Sequence, residues 1–477
     1  MNLATAIIAL TILISFVIGV LAGRRVKMNL EMWTVGGRRF GLILVWLLMA
    51  GEIYTTFTFL GAAGWAYSKG APAFYILIYG TLAYTLSFFI LPAVWKAGKR
   101  HSLHTQPDFF VERYESRLLG ALVALIGVAS ILPYLQLQLM GLGIIVKTAS
   151  GGQIPSSWAM VACFVLTCIF VYTSGIRGTA WVAVLKDIMM IIAVGVVGLW
   201  VPYAYFGGIG KMFAALVERS PEHLVFPGST TNMDSVWVMS TVVLTAMGFY
   251  MWPHTFASVF SAQSAATIKR NSIIMPLYQV PVLLVFLVGF TALLVIPGLA
   301  NGDEAFLALV AKTFPAWFLG FVGAAGAVTA MVPSSMLILC AATLLSKNVY
   351  QLALRPSASE TAVIRLSRVL VVVLTGLALV FAIFVPQALV ALLLLGYDGV
   401  TQFFPGVVLG LFWKRVSRSG VLAGLLIGLA VAVALLLTGN DPWMGINAGF
   451  VALVANAAVT VGVSLATRTR NSAASAA

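Results

Sequence analysis

A carboxylate lies in the middle of an apolar segment. Glu52 falls within residues 41–67, in the run GEIYTT, and this segment is long enough to cross a lipid bilayer. A charged side chain near the hydrocarbon midplane costs about 2.5 kcal/mol or more unless it is paired, hydrated or protonated. Its glycine, threonine and tyrosine neighbours tolerate irregular backbone, which is accepted at membrane depth only where protein buries it or it lines a wet cavity. We therefore predict a helix interrupted inside the membrane, a feature that suggests transport.

A second apolar segment carries its own interruption. Residues 245–255 read TAMGFYMWPHT, where Pro253 removes a backbone donor and the preceding glycine loosens the helix. The freed backbone groups would face a cavity flanked by Tyr250, Trp252 and His254. The alternative is a proline-kinked packing helix with one hydrogen-bonded histidine.

A third polar group lies in a segment rich in small residues, 323–335, where helices can approach closely. Thr329, Ser334 and Ser335 supply oxygens suited to a hard cation. Alternatively, these hydroxyls bond to their own helix within a packing seam.

Two further sites of charge fall in apolar segments. Lys186 and Asp187 are adjacent and form either a local ion pair or part of a gate or ion pathway. Asp398, between a tyrosine and a glycine, has no partner that the sequence can assign.

Composition places these residues in an all-α integral membrane protein. Of 477 residues, 61% are hydrophobic and 9% are charged, and a soluble domain of this length would need far more charge on its surface. The formal charge of +14 is spread over short loops, which argues against a nucleic-acid partner. The three cysteines have no metal-site spacing. We expect the lipid bilayer as a partner, no nucleic acid, and no obligate protein partner.

Apolar runs of about 20 residues predict thirteen spans, among them 155–174 and 180–206 with a turn between them. Lys and Arg concentrate in alternate loops, which predicts an extracytoplasmic N-terminus and a cytoplasmic C-terminus in the cell (inner) membrane. Short helices near 107–114 and 212–217 would lie outside the spans. The tail 471–477 is expected to be disordered.

The interrupted segments are the second and seventh, a shift of five spans, and an odd shift inverts their topology. Interrupted helices at matching places in two inverted halves are typical of a transporter site at the midplane. The predicted organisation starts with an N-terminal span and cytoplasmic loop (1–40) and a first repeat (41–206). An extracytoplasmic loop (207–234), a second repeat (235–413), and two further spans with a tail (414–477) follow.

The whole chain resembles the sodium:solute symporter family. The residues that carry the resemblance are GEIY at 51–54 with Gly61 and Gly64, SGIR at 174–177 leading to Lys186 and Asp187, WPH at 252–254, and TLLSKNVY at 343–350. Among its branches, the bacterial one that contains monocarboxylate permeases is the most similar, by GEIYTTFTFLGAAGW and VLKDIMM.

The resemblance implies a LeuT-type fold of five plus five inverted repeats, alternating access, and a Na⁺ ion between the second and ninth spans. By position, its carbonyl ligands would be those of Gly51, Tyr54 and Thr329. The family's two hydroxyl ligands fall on Val332 and Pro333 here. Ser334 and Ser335 come one or two residues late, and each residue turns a helix by about 100°. Na⁺ is the expected coupling ion, and a proton carried by Glu52 is the alternative.

The predicted function is therefore a cation-coupled symporter that imports a small organic solute, with a monocarboxylate favoured. The expected solute contacts are Glu52, Tyr54, Thr55, Tyr250, Trp252 and His254. An amino acid or another neutral or zwitterionic solute is the alternative. A membrane sensor or a channel is the alternative from another class, although the sequence shows no signalling domain and no repeated filter. No nucleophile–base pair or phosphate loop points to an enzyme.

Overall fold

The structure, a computed structural model, describes residues 2–23 and 29–467, without the side chains at 22, 23, 163, 170, 173–175 and 177. Some predictions concern parts outside this description. They are the loop charges at Arg24, Arg25, Lys27, Arg468 and Arg470, the side chains of Cys163 and Arg177, and the tail 471–477.

Helices form almost all of the described chain. Those of the first half are α1 (Leu3–Gly23), α2 (Leu30–Val35), α3 (Leu42–Ile53), α4 (Ala62–Ser68), α5 (Tyr75–Arg100), α6 (Gln106–Tyr114), α7 (Arg117–Ala149), α8 (Ser156–Phe206) and α9 (Ile209–Arg219). Those of the second half are α10 (Ser235–Gly248), α11 (Pro253–Ser261), α12 (Ala265–Ile274), α13 (Gln279–Val295), α14 (Ala305–Thr313), α15 (Ala316–Thr343), α16 (Glu360–Phe384), α17 (Leu389–Val400), α18 (Phe404–Phe412), α19 (Arg418–Leu437) and α20 (Ala448–Ala466).

The expected number of spans is not confirmed. In the described part of the chain, 10 helical segments are long and apolar enough to cross a membrane, or 12 if each of two bent pairs is one span. The difference from thirteen lies in α8, whose backbone is helical through 174–177, where we expected a turn. Within it, 178–206 is long enough to span, whereas Ser156–Ile169 is a shorter apolar helix. The predicted short helices outside the spans are confirmed as α6 and α9.

Both predicted interruptions are confirmed. The helix α3 ends at Ile53, and after a break the chain continues as a π-helical turn, Phe57–Gly61, and then α4, with a bend of 58°. The helix α10 ends at Gly248 and α11 starts at Pro253, with a bend of 45°. Proline at the first position of α11 fits a helix start because it has no N–H to leave unpaired.

The helix α15 forms the centre of the bundle, and nearly all its residues are buried. Its small residues allow this, since Gly323 lies directly against Ile8 of α1 and Gly326 against Ile145 of α7. At the other end of the chain, α19 and α20 pack closely through Gly424, where an added Cβ would lie 2.0 Å from Thr460 Oγ1. Such seams of small residues are how helices associate without a hydrophobic driving force.

Candidate functional site

Glu52 joins the two interrupted helices. It lies one residue before the end of α3, its side chain is 3% exposed, and Ser258 of α11 donates a hydrogen bond from Oγ to its Oε1. Ser258 comes four residues after His254, so both lie on the same face of α11. The buried acid therefore points from the first broken helix to the second.

Side chains of α7 satisfy the backbone of the first break. The Tyr134 hydroxyl donates to the carbonyl oxygen of Glu52 at 3.0 Å. The backbone N–H and the hydroxyl of Thr56 donate to Gln138 Oε1 at 3.3 and 2.8 Å, and the Phe57 N–H donates to Thr55 Oγ1 at 3.2 Å. Unwound backbone at membrane depth needs such partners, so α7 fixes the shape of the break.

The second break is held from α6. Gln106, the first residue of α6, is fully buried and donates from Nε2 to the carbonyl oxygen of Met251 at 2.7 Å. Within the break, the Met251 N–H donates to the carbonyl oxygen of Gly248 at 2.9 Å. Each break is therefore stabilised by an amide side chain of another helix.

Four rings surround the second break, and we call them the aromatic cage: Tyr134, Trp252, His254 and Tyr397. The Trp252 ring centroid lies 5.0 Å from that of Tyr134, 5.9 Å from that of His254 and 5.4 Å from that of Tyr397. His254 is 3% exposed, and its Nδ1 has no hydrogen-bond partner within residues 2–23 and 29–467. The cage is thus a packed aromatic cluster around Trp252, with one imidazole nitrogen that lacks a partner among the described residues. Such a combination suits a small solute with a polar end.

Not all predicted solute contacts share this cage. Thr55 lies in the first break and is fully buried, and the ring of Tyr250 packs on Phe249 at 4.9 Å beside the cage. Tyr54 is on the other side of α3, where its ring centroid lies 4.8 Å from that of Tyr278. The six predicted contacts therefore form two groups, and Thr55 lies between them because it lines a small cavity together with Tyr54.

Lys186 and Asp187 form the second group with Tyr54. Lys186 Nζ lies 2.9 Å from Asp187 Oδ1, and both side chains are buried. The same ammonium donates to the carbonyl oxygen of Gly51 at 3.4 Å and lies 6.0 Å from the centroid of the Tyr54 ring. We call Gly51, Lys186 and Asp187 the lysine site.

The expected cation ligands on α15 are buried within the bundle. Ser334 and Ser335 donate from Oγ to the carbonyl oxygens of Ala330 and Met331, each at 2.7 Å. The Thr329 hydroxyl has no hydrogen-bond partner in the described part of the chain. Its carbonyl oxygen also loses the usual helical donor four residues on, because that residue is a proline. The α15 backbone nevertheless continues as one helix through this proline.

A polar cluster closes the bundle on the side predicted to be cytoplasmic. The Asp108 carboxylate of α6 contacts Lys347 Nζ at 2.5 Å, accepts from Asn348 Nδ2 at 2.8 Å, and accepts from the backbone N–H of His104 at 2.9 Å. Burial by itself raises the pKa of Asp108, but the Lys347 ammonium and these hydrogen bonds outweigh it and hold the pKa at about 2. We call this the Asp108 latch. A narrow cavity beneath it is lined by His104, Cys340 and Pro253, so it leads to the start of α11.

The opposite side of the bundle is more open. A cavity of about 730 Å³ is lined by Trp65, Trp237, Gln136 and Asp398, and by the predicted extracytoplasmic residue Asn232. Asp398 Oδ1 has no hydrogen-bond partner within residues 2–23 and 29–467. This cavity thus lies on the side of the bundle opposite the Asp108 latch.

Sequence reasoning missed several residues of the site. Ser258 could have been found as the residue one turn after His254 on the same helical face. Tyr134 and Gln138, also one turn apart, are polar residues within a predicted span. Tyr397 was noted only as a neighbour of Asp398, and no local pattern indicates its contact with Trp252.

Comparison with known proteins identifies the family. The sequence model of the sodium:solute symporter family matches residues 33–428. The chain belongs to this family. It is 45% identical to the uncharacterized symporter YhjB of Bacillus subtilis, with 99% of each chain covered. It is 29% identical to a monocarboxylate transport permease protein of Rhizobium johnstonii, with 91% of this chain and 90% of that protein covered.

The fold agrees with the family. The structure matches the substrate-bound outward-open state of a Na⁺-coupled sialic acid symporter with a TM-score of 0.81 at 15% identity, over 98% of each chain. The protein therefore has the predicted LeuT-type fold with discontinuous helices. It is a multi-pass membrane transporter, a cation-coupled solute symporter and not an enzyme.

Proposed function

We propose that this symporter imports a small monocarboxylate, which binds in the aromatic cage between the broken helices. The observation that carries the proposal is His254, which is buried among aromatic rings at the N-terminal end of α11 and whose Nδ1 has no hydrogen-bond partner in the described part of the chain. A helix N-terminus carries a partial positive charge and unpaired N–H groups, both of which favour a carboxylate.

The apolar rings of Trp252 and Tyr397 would cover the hydrocarbon part of such a solute. The close packing of the cage limits the size of the solute, and the polar groups of its four rings are the imidazole, the indole N–H of Trp252 and two hydroxyl groups. The likeness to a monocarboxylate transport permease protein supports the same solute class.

A second candidate is a zwitterionic solute such as an amino acid. The observation that favours it is the Glu52 carboxylate, which could bind an ammonium group. This carboxylate accepts a hydrogen bond from Ser258, and Ser258 lies one helical turn after His254. An amino acid would then place its carboxylate toward His254 and its ammonium toward Glu52.

Uptake into proteoliposomes tests the proposal. The purified protein is reconstituted, a Na⁺ gradient or a proton gradient is imposed, and uptake of labelled lactate, pyruvate and alanine is measured in competition with other carboxylates, amino acids and sugars. We expect uptake of a monocarboxylate that other monocarboxylates inhibit. Inhibition by amino acids alone would instead support the zwitterion, and uptake indifferent to both gradients would exclude symport.

A variant ties the solute to the cage. Losing a hydrogen bond to a charged group costs about 1.5–3 kcal/mol, so His254→Ala should raise the KM for the carboxylate by about 10- to 100-fold. The matched control is His101→Ala, because His101 lies at the surface after α5 and outside the cage. An unchanged KM in His254→Ala would place the solute elsewhere.

A further inference from the structure

We infer that the Lys186 ammonium stands where the family's Na⁺ ion would lie between α3 and α15, so this symporter does not bind Na⁺ there. The inference rests on the proposed cation-coupled symport and concerns only the ion site. It starts from the lysine site, because Gly51 is one of the carbonyl groups that the family resemblance assigns to the ion.

Three helices meet at Gly51 with no space to spare. A Cβ built on Gly51 would lie 3.1 Å from the Cβ of Ala183 on α8 and 3.4 Å from Cγ1 of Val332 on α15. Such distances are shorter than or at the limit of ordinary contact, so only glycine fits without movement of its neighbours. The crossing of α3, α8 and α15 is therefore tightly assembled around this residue.

The side chain that α15 presents to Gly51 is a hydrocarbon. Val332 is one of the two positions at which the family resemblance expects a hydroxyl ligand, and Pro333 is the other. Na⁺ is a hard cation that prefers oxygen, and neither side chain carries one. Ser334 is turned about 200° around the helix from Val332, and Ser335 lies almost one turn farther along it.

The helix α8 supplies a cation at the same carbonyl. Lys186 lies three residues after Ala183, hence on the same face, and its side chain has no exposed surface. Its Nζ donates to the Gly51 carbonyl oxygen at 3.4 Å and pairs with Asp187 Oδ1 at 2.9 Å. The carbonyl that would bind Na⁺ is thus already in contact with a positive charge of the chain itself.

A second cation at this carbonyl would be strongly disfavoured. The Lys186 ammonium already donates to the Gly51 carbonyl, and its repulsion of a second cation, which the Asp187 carboxylate offsets in part, adds to the lack of oxygen ligands on α15. The residues present therefore do not fit Na⁺ at this place, and Lys186 acts as a built-in cation that holds α3 against α8. The coupling cation of this protein must bind or act elsewhere.

Binding of ²²Na⁺ to the purified protein tests the inference without a solute or a gradient, so the result is independent of the proposed transport. Binding is measured by scintillation proximity at 0.1–100 mM Na⁺ with choline as the replacing ion. We expect any saturable binding by the wild-type protein to be unchanged in Val332→Leu, which adds hydrocarbon beside Gly51 at the lysine site. Saturable binding by the wild-type protein that Val332→Leu abolishes would overturn the inference.

Variants test whether the ammonium is what excludes the ion. In Lys186→Met/Val332→Ser the charge is removed and one hydroxyl is restored, and we expect ²²Na⁺ binding at least 10-fold stronger than in Val332→Ser alone. Equal binding by these two variants would contradict the role of Lys186. If the double variant is unstable, as shown by gel filtration and melting temperature, Lys186→Gln/Val332→Ser takes its place with the same expected result and the same refuting one.

Discussion

The Asp108 latch should control access to the site from the side predicted to be cytoplasmic, and Asp108→Asn tests this. The structure holds the pKa of Asp108 at about 2, against an ordinary value of 3.8. With the ordinary pKa assigned to the open latch, this lowering corresponds to about 2 kcal/mol in favour of the closed latch, or more than roughly 10-fold in an equilibrium constant. Because the pKa is lowered, this stabilisation is fully present above about pH 4 and is lost as the pH falls towards 2.

Cys340 reports the state of the latch, since it lines the cavity beneath it and is 8% exposed. In a background of Cys163→Ser and Cys168→Ser, the alkylation rate of Cys340 by a maleimide is measured at pH 7 on protein in lipid nanodiscs. We expect Asp108→Asn to raise this rate by more than roughly 10-fold, since the asparagine keeps the shape of the side chain but not its charge.

The matched control is Glu112→Gln on the same helix, whose carboxylate is half-exposed and pairs only with His101 among the described residues. It should leave the rate unchanged, because exposed ion pairs contribute little. Lys347→Met should act in the same direction as Asp108→Asn. A rate for Asp108→Asn within twofold of the parent would refute the assignment of Asp108 as the closing contact.

Three further predictions concern other parts of the fold. Glu52→Gln should reduce the initial rate of solute uptake at least 10-fold, whereas Ser258→Ala should reduce it less, since the acid keeps its place in the break; equal rates for Glu52→Gln and wild type would show a packing role. Burial raises the pKa of Asp303 to about 6. As the pH rises from 4 through 6, ionisation of this buried carboxyl should therefore lower the stability of the folded protein by about 3 kcal/mol. Asp303→Asn, which can still accept from the Leu389 N–H, should remove this fall in melting temperature between pH 4 and 8; an identical pH profile would contradict it. Trp252→Ala should destabilise the protein by about 3–5 kcal/mol through loss of the cage, seen as a lower melting temperature, and an unchanged melting temperature would show that the ring is not packed.

Much of the fold followed from the sequence because a bilayer restricts what a chain can do. Apolar runs predicted the spans, and a carboxylate and a Trp-Pro-His run predicted where two of them break. These signals are local: a charge or a proline inside an apolar run can be read from the run itself, and few structures at membrane depth accommodate either. The predicted number of spans is not confirmed at 155–206, where a local signal was again the basis of the prediction. A local turn signal was expected to end a helix there, and the structure continues the helix through it.

The site was harder to predict, because its contacts join helices far apart in the chain. The sequence placed Tyr54 with Trp252 and His254, but the structure puts Tyr54 beside Tyr278 on the opposite side of α3. A break removes the regular 100° turn per residue, so the direction of a side chain beyond it cannot be counted from the helix before it.

The sequence by itself determined that this protein crosses a membrane, that two of its helices are interrupted, and that a buried acid lies at the first interruption. Those properties depend on the free energy needed to place a polar group in hydrocarbon, which is set by the residue type and its position within its own segment. Only the tertiary structure decided what these residues face: Ser258 for Glu52, the aromatic cage for His254, and Gly51 for Lys186. Partners across a helical bundle depend on the rotation and spacing of whole helices, which no single segment specifies.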